Sequence, residues 1–172
     1  MTLRLTDKLH VMMVLSIFCA ISLTLFVLES YIPIPIPFPG IKLGLANIVT
    51  LVLILKINFK SAAIVLFVRI FLGSIFASGL TGFLYSFSGG LFALYSIFLI
   101  TKITKGKYIW FLGIIGALFH NLGQILVAVL IYRTKNIAYY FVILAFFAIV
   151  TGFVTGNVAS IISKKLIIKN RD

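Results

Sequence analysis

Acids are nearly missing from this chain. Asp7, Glu29 and Asp172 are its three carboxylates, and they lie far apart in the sequence. Chemistry that grips a diphosphate through Mg²⁺ held by clustered carboxylates is therefore excluded as a catalytic role. Cys19 is the one cysteine, which rules out an intrachain disulfide or a cysteine-built metal site. His120 has no carboxylate near it in sequence to orient it, so covalent catalysis by a nucleophile–base pair lacks support. The chain has no GxxxxGK[ST] run, and so no phosphate loop of its own to drive ATP-dependent transport. These absences predict a protein that is not an enzyme and holds neither cofactor nor metal.

Charge of either sign is scarce. Charged residues make up 10% of the chain against 62% hydrophobic ones, and the mean hydropathy is +1.24. A soluble domain needs a charged surface that this composition does not supply. The expectation is an all-α integral membrane bundle, with residues 1–172 as a single transmembrane domain. The length accommodates six spans of roughly 20 residues each with short connectors. The formal charge of +12 would elsewhere suggest nucleic acid, but position decides against it. Arg4, Lys8, Lys56, Lys60, Lys102, Lys105, Lys107, Lys164, Lys165, Lys169 and Arg171 fall at the termini and in alternate loops. Lys42, Arg133 and Lys135 fall on the other side. This positive-inside pattern predicts a multi-pass protein with both termini cytoplasmic, the lipid bilayer as its partner, and no nucleic acid. The basic start and apolar run also suggest a signal peptide. However, the run from about Leu9 to Leu28 is long, and ESYIPIP offers no small-residue cleavage site, so a retained first helix is expected.

Proline is confined to positions 33, 35, 37 and 39, followed by Gly40. Alternating prolines remove backbone donors and favour an extended path. At membrane depth such backbone needs protein or a water-filled cavity to satisfy it. The stretch is expected to cap the outer side of the bundle between the first and second spans. Pro37, Pro39 and Gly40 form the lid, and Lys42 and Asn47 sit near the start of a short helix. Glu29 is the one carboxylate available to the outer half, with Lys42 as its expected partner.

The spans are expected near residues 9–28, 41–56, 61–78, 83–103, 109–132 and 138–163. In the first, Ser16, Ala20 and Thr24 place small side chains on one face. Packing inside the bundle and docking of a separate membrane partner are both open readings of that strip. Arg69 lies near the middle of the third span, where an arginine costs about 2.5–3.5 kcal/mol on insertion scales and needs a polar cavity or a partner. No acid is expected within any span. Backbone carbonyls could serve Arg69, or an anionic or carbonyl-rich ligand could. A short outer turn is expected at Ser78, Gly79, Thr81 and Gly82. Gly89 and Gly90 suggest a kink or a close backbone approach in the fourth span. In the fifth, His120, Asn121 and Gln124 gather on a broad face with Gly113, Gly116 and Gly123. Polar side chains at that depth need hydrogen-bond partners, and the glycines leave room, which together favour a binding pocket. Gly152 and Gly156 have the GxxxG spacing of helix packing, read here as packing within the chain.

PFPGIKLGLANIVTL, Arg69 in the third helix, FLYSFSGG at Phe83–Gly90 and GALFHNLGQ at Gly116–Gln124 together resemble a known family over essentially the whole chain. It is the bacterial membrane family labelled heptaprenyl diphosphate synthase component I, also called the Gx transporter family. That family looks like a relative of the substrate-binding S components of energy-coupling factor transporters. The resemblance implies six helices in a bacterial cytoplasmic membrane and an outward pocket covered by the loop between helices 1 and 2. It also implies a helix 1 strip that docks a transmembrane coupling protein, which works with two ATPases. By position, Ser16, Ala20 and Thr24 form that strip, where S components carry alanines. Pro39 to Asn47 form the lid and helix 2 start, and His120, Asn121 and Gln124 line the pocket with Arg69. Arg69 and Lys42 suit a small organic solute with negative charge or several carbonyls. Two other functions remain in view: a noncatalytic membrane subunit beside a prenyl diphosphate synthase, and a stand-alone facilitator.

Overall fold

The computed structural model describes residues 2–4, 8–32 and 44–169. Its helices are α1 (Lys8–Glu29), α2 (Asn47–Lys56), α3 (Phe59–Gly73), α4 (Gly79–Thr104), α5 (Ile109–Tyr132) and α6 (Tyr140–Lys165). A π-helical turn, Ser74–Ser78, follows α3, and a 3-10 turn, Lys135–Tyr139, leads into α6. Three residues at each end pair in parallel, β1 (Thr2–Arg4) with β2 (Ile167–Lys169), so both described ends of the chain meet. Otherwise the fold is helical.

Five helical stretches are long and apolar enough to cross a membrane: α1, Phe59–Phe76, α4, α5 and α6. The expected second span, 41–56, needs correction. Its described helix starts only at Asn47, and at 1.5 Å per residue ten residues reach about 15 Å, half of a hydrocarbon core of roughly 30 Å. Gly44, at φ +86°, and the turn after it delay the helix. Pro37, Pro39, Gly40 and Lys42 lie outside the described residues, so the lid does too. The outer turn expected over residues 78–82 is also shorter. The chain reverses at Gly79, whose φ of +60° only glycine adopts readily, and Thr81 and Gly82 are already in α4.

Lipid is as apolar as a protein core, so these helices sort by size and polarity rather than by an apolar stripe. Leu130, Ile103, Phe146 and Val142 face outward, whereas Arg69, His120, Asn121 and Gln124 are buried. Glycines set the closest approaches. A Cβ on Gly113 would fall 2.6 Å from the Cα of Gly156, and one on Gly156 would fall 2.6 Å from the Cα of Trp110. Gly152 and Gly156 therefore join α6 to α5 within the chain. Gly89 and Gly123 do the same for α4 and α5, and Ser88 Oγ donates to the Gly123 carbonyl at 2.9 Å. α4 runs unbroken through Gly89 and Gly90, and both glycines serve close approach, Gly89 to His120 of α5 and Gly90 to Leu66 and Ile70 of α3.

α2 starts beside the end of α1 and runs back. Its Leu55 reaches Gly106 in the α4–α5 turn and shares an apolar cluster with Leu166. Lys56, Lys105, Lys107, Lys164 and Lys165 thus gather at one end of the bundle. Asn58 caps α3 there, its Oδ1 accepting from the Ser61 amide at 2.8 Å.

Candidate functional site

The site is built where α1 ends. Glu29 is the last residue of that helix and only 2% exposed. Its Oε1 accepts from the Gly44 amide, and its Oε2 accepts from the Leu45 amide at 3.1 Å. Those amides lead into α2, so the carboxylate sits where a helix start favours negative charge. The sequence pattern pairs Glu29 with Lys42. Lys42 lies outside the described residues, and the partners seen are these two amides. Glycine is required at 44 twice over. Its φ is left-handed, and a Cβ there would stand 2.7 Å from Asn47 Nδ2 and 3.2 Å from the His120 ring.

That second contact brings in α5. His120 is buried against α4, where a Cβ on Gly89 would lie 2.8 Å from its carbonyl oxygen and 3.0 Å from its ring. Gln124, one turn further along α5, is fully buried. Arg69 on α3 is 2% exposed, and its guanidinium carbon stands 5.4 Å from the centroid of the Phe26 ring on α1. It interacts electrostatically with both Glu29 and His120. The expectation that no acid lies within a span is thereby corrected. α1 extends through Glu29, and its helical end carries the carboxylate into the field of Arg69. Glu29, Gly44, Asn47 and His120 form one chain of neighbours, and Arg69 on α3, against Phe26 of α1, lies within electrostatic reach of Glu29 and His120.

Two members of this cluster keep side-chain atoms without a hydrogen bond. Arg69 Nε and Nη2 are buried without a hydrogen bond, and so are Nδ2 and Oδ1 of Asn47, a residue 5% exposed. Leaving a buried polar group unpaired costs about 1–3 kcal/mol, and more when it is charged. Backbone carbonyls, one of the two readings of Arg69, do not serve those two nitrogens.

Asn121 is tied to α6 by one of its two polar atoms, while its Oδ1 is buried without a hydrogen bond. Its Nδ2 donates to the Leu144 carbonyl at 3.0 Å, which ties α5 to α6. A residue one position from His120 is rotated by about 100° around the helix, so the two need not share a face. Glu29 is the residue that sequence reasoning leaves out of the site. The signal that could have found it is its isolation, as one carboxylate beside a long apolar run.

The strip on α1 is exposed. Ser16 Oγ donates to the Met12 carbonyl and Thr24 Oγ1 to the Ala20 carbonyl, each at 2.9 Å, so neither hydroxyl asks for another partner. Beside Ser16 and Ala20 an apolar groove of about 470 Å³ opens between α1 and α3, lined also by Leu23, Ile64 and Val68. Intrachain packing does not account for this strip. Among the described residues, no three His, Cys, Asp or Glu side chains come together that could hold a metal ion.

The family model described as heptaprenyl diphosphate synthase component I matches residues 18–162. No curated protein and no solved structure matches the chain.

Proposed function

The chain belongs to the heptaprenyl diphosphate synthase component I family, and on that premise we propose that it is a substrate-binding membrane subunit for uptake of a small organic solute. One observation carries this reading. Buried Arg69 and Asn47 keep unpaired hydrogen-bonding groups within a cluster assembled from four helices. A purely structural bundle gains nothing from that arrangement, which costs stability until something fills it. A solute that hydrogen-bonds to these groups recovers the cost on binding. Arg69 and Asn47 contact the solute directly in this proposal, with His120 and Gln124 completing the walls.

Transport energy comes from other proteins in this reading. A membrane coupling protein docks on the exposed Ser16–Ala20–Thr24 strip, where small side chains allow close helix approach. Two ATPases act through it, and the basic end of the bundle is cytoplasmic. The family description itself favours a second reading, a noncatalytic membrane subunit of a prenyl diphosphate synthase. A pull-down of the tagged protein from its host in mild detergent separates the two. Two ATPases and a membrane coupling protein in the eluate are the expected result. A soluble prenyl synthase without ATPases overturns the transport reading.

A further inference from the structure

A second cavity lies away from the polar cluster. An apolar groove of about 550 Å³ is floored by α2 and walled by α1 and α6. Val49 and Val52 of the floor are buried, whereas Ile17 and Ile21 of the α1 wall are exposed. Every side chain lining it is apolar. The α1 wall runs from Val14 to Leu25, which at 1.5 Å per residue is about 16 Å, half of a hydrocarbon core of roughly 30 Å. The groove is therefore one leaflet deep. A helix about 10–12 Å across fills roughly 1,250 Å³ or more over that length, so the groove suits a flexible chain and not a partner helix.

One end of the groove is basic. α1 leaves the end of the bundle where β1 and β2 pair, and α6 arrives there, so Val14 and Leu166 mark that end of the groove. Residues three, four or seven apart share a helix face. Lys165 is exposed and lies three residues beyond Ile162 and seven beyond Val158, both lining residues. Lys56 is half-buried and lies four residues beyond Val52. His10, four residues before Val14, continues the α1 wall. Two helices distant in sequence thus each carry a lysine on the groove face at its basic end. Beyond Glu29, at the other end of α1, the chain has only Asp7 and Asp172 as acids. Lys8, Lys105, Lys107 and Lys164 join Lys56 and Lys165 here, so this end keeps a net positive charge wherever those two acids lie.

We propose that the groove holds an acyl chain of an anionic phospholipid, whose phosphate sits between Lys56 and Lys165. A long polyprenyl chain exceeds a groove one leaflet deep, and a headgroup of net zero charge gains less from the two lysines. The proposed docking strip, Ser16, Ala20 and Thr24, is turned by roughly 120° around α1 from Val14, Ile21 and Leu25. A lipid in the groove leaves that strip free, and the proposal does not rest on the transport reading.

The test uses the purified full-length protein in mild detergent. Native mass spectrometry follows bound lipid as phosphatidylglycerol or phosphatidylcholine with the same chains is titrated in, and thermal unfolding is recorded in parallel. Phosphatidylglycerol should bind more tightly and raise the unfolding temperature further. With Lys56→Gln and Lys165→Gln together, its affinity should fall roughly 10- to 30-fold and its advantage should vanish. Lys165→Gln alone, at an exposed position, should lose about fivefold, and elution volume reports whether each variant is folded. Lys60→Gln with Lys102→Gln removes the same charge beside Phe59 and Phe98, away from the groove, and should change affinity by less than about twofold. Ile21→Trp narrows the groove and should weaken both lipids. Equal affinity for the two lipids, equal losses in the two lysine pairs, or full binding in Ile21→Trp overturns the proposal. Displacement of phosphatidylglycerol by an equimolar polyprenyl diphosphate overturns it in favour of a prenyl chain. A dimer that forms on delipidation and is lost in Ile21→Trp overturns it in favour of a second copy.

Discussion

Replacing Glu29 with glutamine tests the junction on which the site depends. The carboxylate accepts from the Gly44 and Leu45 amides, and hydrogen bonds to a charged group contribute about 1.5–3 kcal/mol each. Glutamine keeps one acceptor oxygen, so one of those bonds persists at the roughly 1 kcal/mol typical of a neutral pair. The other amide is left facing an NH₂ group, unpaired and buried. Loss of the negative charge also removes a favourable interaction with Arg69 and with the start of α2. The net cost is about 2–4 kcal/mol. If the α1–α2 junction opens locally, 2 kcal/mol corresponds to roughly 30-fold faster amide exchange. Hydrogen exchange read by mass spectrometry on peptides covering residues 44–48 reports this directly, with α6 peptides as the internal control. A double-mutant cycle with Arg69→Gln should show coupling of about 0.5–3 kcal/mol, as expected for neighbours in one polar network. Exchange at residues 44–48 within about twofold of wild type, with no coupling to Arg69, refutes the view that Glu29 holds α2 to α1.

Gly156→Ala should lower thermal stability by about 1–3 kcal/mol, because its Cβ would press on the backbone of Trp110 and force α5 and α6 apart; an unchanged melting curve in detergent argues against the packing seen. Gly79→Ala is a contrasting case, with open space around the Cβ but a left-handed backbone, and should cost about 1 kcal/mol in the same assay. Asn121→Leu removes the bond to the Leu144 carbonyl and should destabilise by about 1–3 kcal/mol while ligand affinity in the folded fraction is retained; Gln124→Ala should lower affinity instead, and the reverse outcome would exchange their roles. Ala20→Trp should abolish capture of the coupling protein without moving the unfolding temperature, since the position is exposed; undiminished capture removes the docking strip.

Much of the long-helix framework is legible in the amino-acid sequence. The fifth span is expected at 109–132, and α5 runs from Ile109 to Tyr132, because an apolar run bounded by Lys107 and Arg133 marks both ends. The first and sixth spans fall within two residues of α1 and α6 for the same reason. Hydropathy misjudges the second span because it sees Ile41, Leu43 and Leu45 as continuous with Ile48–Leu55. A backbone turn at Gly44, invisible to hydropathy, shortens the helix. At the site, Arg69, His120 and Gln124 can be singled out because a polar group in an apolar span stands out. Asn121 stands out equally, and the fold adds that its Nδ2 holds α6. Sequence pattern pairs Glu29 with Lys42, a residue outside those described, and the fold adds that the Glu29 carboxylate caps the approach to α2.

The sequence by itself determined the membrane class, the long helices, the basic end of the bundle and the list of polar groups in need of partners. Those follow from local composition, since burying charge in lipid is costly wherever the residue sits. Which groups meet was decided only by tertiary structure: Glu29 with the start of α2, Gly156 with the backbone of α5, Asn121 with Leu144. Such pairings depend on the rotation and tilt of each helix against its neighbours. A chain whose surroundings are as apolar as its interior carries no amphipathic stripe to record them.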